Sequence, residues 1–277
     1  MGLSVHTNTS AMIALQNLNK TNEDLVQVQN RINTGLQVAG AKDNSSVFAV
    51  AQGMRADIGA LGSVESSLDR AVSIGDVAIA AGESISDLLI EMREKATAAM
   101  DPSIDTYSRA AYDADFKSLL QQISVVIENA EFDGANLLDG SLTNGIAFLA
   151  DADATRTVTL ATQDMSISGS IITLATTAAL DTVTNANTAL TAVEQSLENV
   201  NQALANLGSD QKMMEAHRTF VNKLMDSLNE GVGNLVDADL ARESANLQAL
   251  QVKQQLGSQA LSIANSEPQI ILSLFGG

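Results

Sequence analysis

The 277-residue sequence contains no cysteine and no tryptophan, and it has only two prolines, Pro102 and Pro268. The lack of cysteine excludes disulfides, thiol nucleophiles and thiolate metal sites together. Aromatic residues make up only 3% of the chain, so the large buried rings of an ordinary enzyme core are missing. Burial falls instead to Ala, Leu, Val and Ile within an apolar fraction of 45%, which suits helices packed closely along their length. With so few prolines, long uninterrupted helices are permitted almost everywhere.

Basic residues are also scarce. Fifteen Lys and Arg stand against 33 Asp and Glu, for a net charge of −18. Such a surface repels phosphate backbones, so nucleic acid is not an expected partner. No apolar run approaches the roughly 18–20 residues that span a bilayer. The polar faces are acidic, which argues against insertion into anionic lipid. Residues 1–10 lack a basic segment followed by an apolar one, so no cleaved secretory leader is expected, and a chain working outside the cell would leave by another route.

Catalytic constellations are missing as well. The two histidines, His6 and His217, share no motif, and no Gly-rich phosphate loop or nucleophile elbow occurs. The acidic pairs Asp151/Asp153 and Asp237/Asp239 lack the ligand ladder and glycine of a calcium loop. The first reads as a solvated loop and the second as a helix start, where negative charge is favoured. The expectation is a non-enzyme without cofactor or metal.

What is present is heptad periodicity. Apolar residues recur at alternating spacings of three and four at Val183, Ala186, Leu190, Val193, Leu197, Val200, Leu204 and Leu207, and again at Met214, Val221, Met225, Leu228, Val232 and Leu235. Gln211 and Arg218 interrupt the pattern. A 3.5-residue period held this long predicts one helix with a narrow seam against partner helices, roughly 80 Å long at 1.5 Å per residue.

A second run holds the same spacing through Leu61, Val64, Leu68, Ala71, Gly75, Ala78, Gly82, Ile85, Leu89, Met92 and Ala96. Its two glycines, each costing about 1 kcal/mol against Ala, imply close approach of another backbone. This helix should end near Asp101-Pro102. A shorter one is expected from Thr106 to Asn129, with Phe116, Leu119, Leu120, Ile123, Val126 and Ile127 inward. Asp133-Gly134 then marks a turn.

Residues 139–181 lose the heptads and become rich in Ser and Thr. Period-two alternation in 155–160 and again in 166–174 predicts two short strands joined near Gln163-Asp164. The termini carry sparser stripes: Leu18, Leu25 and Ile32 in front, Leu240 with Leu247, then Leu256, Ile263 and Ile270 at the back. These stripes are polar-flanked and too narrow to offset ordering entropy in isolation. Both ends are therefore expected to be largely disordered in a free monomer, and to order by pairing with each other and with neighbouring subunits.

These features resemble one family, the bacterial flagellins, in a short form. The front carries Asn17-Leu18-Asn19-Lys20, Arg31-Ile32-Asn33-Thr34-Gly35-Leu36 and Ala41-Lys42-Asp43. The middle carries Glu131-Phe132-Asp133-Gly134-Ala135-Asn136-Leu137-Leu138. The back carries Asp237-Ala238-Asp239-Leu240-Ala241, Gln254-Gln255-Leu256-Gly257 and Ala264-Asn265-Ser266, then Pro268-Gln269 and Leu272-Ser273-Leu274-Phe275. All are similar to flagellin motifs and stand in the family's order.

The resemblance implies a mainly α fold: a long antiparallel helical rod or coiled-coil bundle with a small β-hairpin region, and terminal helices forming a coiled inner-tube domain. Residues 1–45 with 236–277 correspond to the inner tube, 46–138 with 183–235 to the rod, and 139–182 to a hairpin and loop excursion of the rod. The implied function is a secreted structural subunit, exported by the type III route and self-assembling into the flagellar filament for swimming motility by coupled folding of its two ends. A hook–filament junction protein is the alternative within that machinery, and a secreted helical effector or translocator the alternative outside it.

Implied partners are further copies of the chain, with or without sister flagellins, together with an export chaperone, a filament cap and hook-junction proteins. The expected axial contacts are Leu18, Leu25, Ile32, Leu256, Leu261, Ile263 and Ile270, with Leu272, Leu274 and Phe275 in the last turn. The Ser/Thr-dense segment 141–182 is implied as an O-glycosylation surface. One departure stands out. Ile90-Glu91-Met92-Arg93-Glu94-Lys95-Ala96 occupies the place of a stretch that an animal innate-immune receptor reads in many flagellins. Glu91 replaces an arginine and Lys95 a leucine, so weak recognition is expected.

Overall fold

The computed structural model describes the backbone of residues 7–275 and the side chains of residues 7–266. The elements are α1 (Thr9–Thr34), α2 (Ser45–Ala99), α3 (Thr106–Asn129), β1 (Glu131–Phe132), β2 (Ala135–Asn136), β3 (Ile146–Leu149), β4 (Thr157–Leu160), α4 (Val183–Val236) and α5 (Leu240–Phe275). They form two compact units. One comprises Met1–Ala56 with Ser227–Gly277 and the other Asp57–Asp226.

In the second unit, every residue of the heptad run from Leu61 to Ala96 is buried. Its partner α4 runs antiparallel and in step. Arg218 pairs with Asp69 at 2.9 Å, Gln211 hydrogen-bonds Asp76, and Arg93 pairs with Glu194 at 3.1 Å. Seven residues forward along α2 are seven residues back along α4, so both residues that interrupt the apolar pattern of α4 reach polar partners on α2, and Glu194 beside the seam reaches a third. Helix α3 begins on Asp105, whose carboxylate accepts the Ser108 N–H at 2.6 Å, and buries Phe116, Leu119, Leu120, Ile123 and Ile127. The end of α2 is held by α3: the Arg109 side chain donates to the carbonyls of Ala99 and Asp101, supplying partners for groups a helix terminus leaves open.

Three expectations need correction. The glycines of α2 face side chains, not a backbone. A Cβ on Gly82 would stand 2.8 Å from Leu204 Cδ2, and one on Gly75 would stand 3.2 Å from Gln211 Oε1. The deepest line of α4 alternates Ala186, Val193, Val200 and Leu207 with Ala189, Ser196 and Ala203, while Leu190, Leu197 and Leu204 are only half-buried. The cause is the segment after β4, which covers that flank: Ser196 accepts the Thr173 N–H at 3.0 Å, and Asn199 donates to the Ile171 carbonyl at 3.0 Å. The buried stripe is thereby wider than a two-helix seam.

The third correction concerns strand pairing. The strand at Thr157–Leu160 exists, but its antiparallel partner is Ile146–Leu149 upstream, in the register Ile146↔Leu160 and Leu149↔Thr157. Asp151 closes the intervening loop, accepting from the Thr155 N–H, the Thr155 hydroxyl and the Arg156 N–H. The downstream stretch commits Ile172 and Leu174 to the core and donates from Gln163 and Met165 to the carbonyls of Leu137 and Leu138. Asp133 and Gly134 take φ of 51° and 78°, which joins β1 to β2 as a primed two-residue hairpin turn.

Candidate assembly interface

The first unit is built from the two ends of the chain. Asn8 caps α1 by accepting the Ala11 N–H at 2.9 Å, and its amide reaches across to the Ala264 carbonyl at 2.7 Å. Gly35 ends α1 with φ of 72°, its N–H donating to the Arg31 carbonyl, a left-handed cap that costs a glycine little. The chain then meets the start of α5. Leu36 bridges Asp237, the N–H groups of Gln37 and Val38 donate to the Val236 carbonyl, and that of Ala238 donates to Gly35. Asp239 caps α5 through the N–H groups of Ala241 and Arg242. The motifs around Gly35 and Asp237 therefore form one joint.

From that joint α1 and α5 pair antiparallel. Arg31 meets Glu243 at 3.2 Å, Gln254 donates to Asn22 at 2.7 Å, and Leu18 packs over Gly257. The Arg31–Glu243 pair is largely withdrawn from solvent, and its remaining atoms Arg31 Nε and Glu243 Oε2 are buried without a partner.

The expected contact residues divide by their surroundings. Leu25 is buried, and Leu18, Ile32 and Leu261 are half-buried, so these are covered at least in part within the chain. Leu256 and Ile263 point outward at 59% and 67% exposure. Ile270, Leu272, Leu274 and Phe275 lie on α5, but their side chains are outside the described residues, as is His6. Val252, which sequence reasoning missed, is 55% exposed and extends the line of Leu256 and Ile263 at helical spacings of four and seven. Met12, Ile13, Leu15 and Val26 are exposed on α1; of these only Leu15 stood near an expected stripe. Among the described side chains of α5, only Glu243 is buried. Outward Val, Leu and Ile on a helix with no buried apolar residue among its described side chains form an exposed apolar line of the kind that marks an interaction surface.

The altered stretch of α2 is engaged inside the second unit. Met92 and Ala96 are fully buried, Glu91 is exposed, Arg93 pairs with Glu194, and Lys95 pairs with Asp115 at 3.1 Å. The hydrogen bond and charge of Asp115 raise the Lys95 pKa above its ordinary value.

No catalytic arrangement emerges among the described residues. His217 Nε2 lies 2.8 Å from the Ala150 carbonyl, and its ring sits against Phe220, so it ties the hairpin to α4. No group of three or more metal-ligating side chains occurs among the described residues. No described helix is long and apolar enough to cross a membrane. A groove of about 600 Å³ between α2 and α3 carries one carboxylate, Asp87, among Ser84, Leu88, Ser118 and Gln122.

Comparison with known proteins places this architecture. The family model of the bacterial flagellin N-terminal helical region matches residues 5–143, and that of the C-terminal helical region matches residues 190–275. Flagellin FljJ of Caulobacter vibrioides is 52% identical over 277 residues, covering all of both chains. Flagellin FljM of the same bacterium is 47% identical over 272 residues, 98% of each. A solved structure described as a putative flagellar hook-associated protein from Vibrio parahaemolyticus superposes with a TM-score of 0.55 at 12% identity, covering 70% of this chain and all of that one. That likeness is one of fold. The chain belongs to the bacterial flagellin family, whose members are the structural subunits of the extracellular flagellar filament.

Proposed function

We propose that this subunit polymerises through the paired helices α1 and α5, folding them fully only as neighbouring copies cover their outward apolar residues. The carrying observation is the exposed line Val252, Leu256 and Ile263 on a helix that buries no apolar residue among its described side chains. Burying one such side chain contributes about 1.5–3 kcal/mol, a gain available only on assembly.

In this reading residues 1–45 with 236–277 form the inner tube, 46–138 with 183–235 the rod, and 139–182 its hairpin excursion. Leu18, Leu25, Ile32 and Leu261 hold α1 on α5. Leu256 and Ile263 face other subunits, joined by Ile270, Leu272, Leu274 and Phe275. Partners are copies of the chain and sister flagellins, as the related pair in one bacterium suggests, with an export chaperone, a cap and hook-junction proteins acting at defined stages. Deleting the last turn, 272–275, is expected to abolish polymerisation while α2, α3 and α4 stay helical. Long filaments from that truncation would contradict the reading.

The engaged ion pairs of Arg93 and Lys95, with the acid at Glu91, support weak activation of the innate-immune receptor that reads this stretch in other flagellins. Purified monomer is expected to be a poor agonist in a receptor reporter assay, and potent activation would overturn that expectation. The Ser/Thr-dense segment 141–182 is the proposed place of any O-glycan. Intact-mass measurement of filament protein tests it, and an unmodified mass would remove it.

A further inference from the structure

We infer that Asn144 is a site of self-modification, where the chain's own backbone converts the asparagine to aspartate and isoaspartate after export. Asn144-Gly145 is the only Asn-Gly step in the sequence. The fold fixes the glycine. Gly145 has φ of 73°, and a Cβ there would stand 2.4 Å from the Leu160 carbonyl oxygen and 3.1 Å from Thr159 Cγ2. No other residue is admitted at this position, which opens β3 opposite the end of β4.

Nothing comparable fixes the asparagine. The nearby loop carboxylates Asp139 and Asp151 hold backbone N–H groups. Asn144 is exposed and takes no such part among the described residues. The fold thus demands, next to an unrestrained and solvated asparagine, the one residue whose missing side chain leaves its amide nitrogen open to reaction.

The chemistry requires only water. The Gly145 backbone nitrogen, losing its proton, bonds to Asn144 Cγ. The Cγ–Nδ2 bond breaks and ammonia leaves with that proton, giving a five-membered succinimide. Water opens the ring at either carbonyl, yielding aspartate or isoaspartate. Both products add a negative charge to a chain already at −18. Isoaspartate also routes the backbone through Cβ and lengthens it by one carbon, directly before the Ile146↔Leu160 pair. Enzymatic repair of isoaspartate consumes a methyl donor held in the cytoplasm, so subunits in an extracellular filament accumulate the change with age.

The test ages full-length protein at pH 8 and at pH 6, followed by isoelectric focusing, isoaspartyl methyltransferase labelling and peptide mapping. An acidic species is expected, formed faster at pH 8, with its label on the peptide containing residue 144. Asn144→Ser should abolish both signals and still polymerise. A synthetic peptide of residues 140–149 provides the unfolded rate, which the folded chain should approach. Label mapping elsewhere, an unaltered Asn144, or a folded-chain rate an order of magnitude below the peptide's would each overturn the inference.

Discussion

Gly257 of α5 faces Leu18 of α1 so closely that a Cβ on the glycine would stand 3.2 Å from the leucine Cδ1. The two residues come from the family's front and back motifs, and their contact sets how near the two terminal helices approach. Alanine at 257 asks only a small shift of a flexible leucine end and adds helix propensity. Leucine there overpacks the pair, at a cost of about 1–3 kcal/mol. Gly257→Leu is expected to raise the critical concentration for polymerisation by about five- to a hundredfold, since about 1.4 kcal/mol is one decade. Gly257→Ala should stay near wild type. Sedimentation of seeded protein distinguishes them.

The Arg31–Glu243 pair joins the same helices next to the joint between Gly35 and Ala238. Removing one member of a buried pair leaves the other uncompensated, at about 3–5 kcal/mol when fully buried. Arg31 retains 26% side-chain exposure, so a loss of about 1–3 kcal/mol is expected for Glu243→Gln. Replacing both residues, Arg31→Met with Glu243→Leu, should recover most of it. A double-mutant cycle on polymer stability measures the coupling.

Inside the second unit, Gly82→Ala forces its new methyl against Leu204 Cδ2, at 2.8 Å as built. The overpacking costs about 1–3 kcal/mol against the roughly 1 kcal/mol of helix propensity that alanine adds, so a net destabilisation of up to about 2 kcal/mol is expected. Adding Leu204→Ala should relieve the clash, so that the double variant melts closer to wild type than the sum of the two single effects. Thermal circular dichroism reads the outcome.

Acid should loosen the β3–β4 loop. The Thr155 hydroxyl, with the N–H groups of Arg156 and Thr155, lowers the Asp151 carboxyl below its ordinary pKa. A carboxylate whose folded pKa is depressed stabilises above its unfolded value, near 3.9, and that contribution fades as pH falls through the lower folded value. Asp105, lowered by the Ser108 N–H, gives the start of α3 the same sign. Below about pH 4, the protection of the amides of residues 151–156 relative to their intrinsic exchange rates is expected to fall. Asp151→Asn should show fast exchange already at neutral pH.

The legible part of the fold was the part with strict periodicity. The α2 seam is legible residue for residue because its spacing never breaks, and the Pro102 stop and the Asp133-Gly134 turn bound α3. On α4 the leucines at 190, 197 and 204 outweighed Ala189, Ser196 and Ala203 in the pattern. Which of the two lines is deeper depends on a tertiary neighbour, residues 165–180, that no local spacing reports. Ile146–Leu149 is not legible as a strand because four consecutive apolar residues do not alternate. In the interface, Leu256 and Ile263 stand out as a stripe, whereas Val252 is hidden between Gln251 and Lys253 and Met12 lies in the continuous apolar run 11–15, which marks no single face. The glycine slots signalled close approach without telling whether backbone or side chain fills them.

Seeded growth of the Leu256→Ser/Ile263→Ser variant, followed by electron microscopy and sedimentation, bears most directly on how this subunit assembles. Wild-type protein should extend seeds into long fibres, while the variant stays in solution with the helicity of α2, α3 and α4 intact. Fibres of normal length from the variant, at the wild-type critical concentration, would contradict assembly through the outward face of α5.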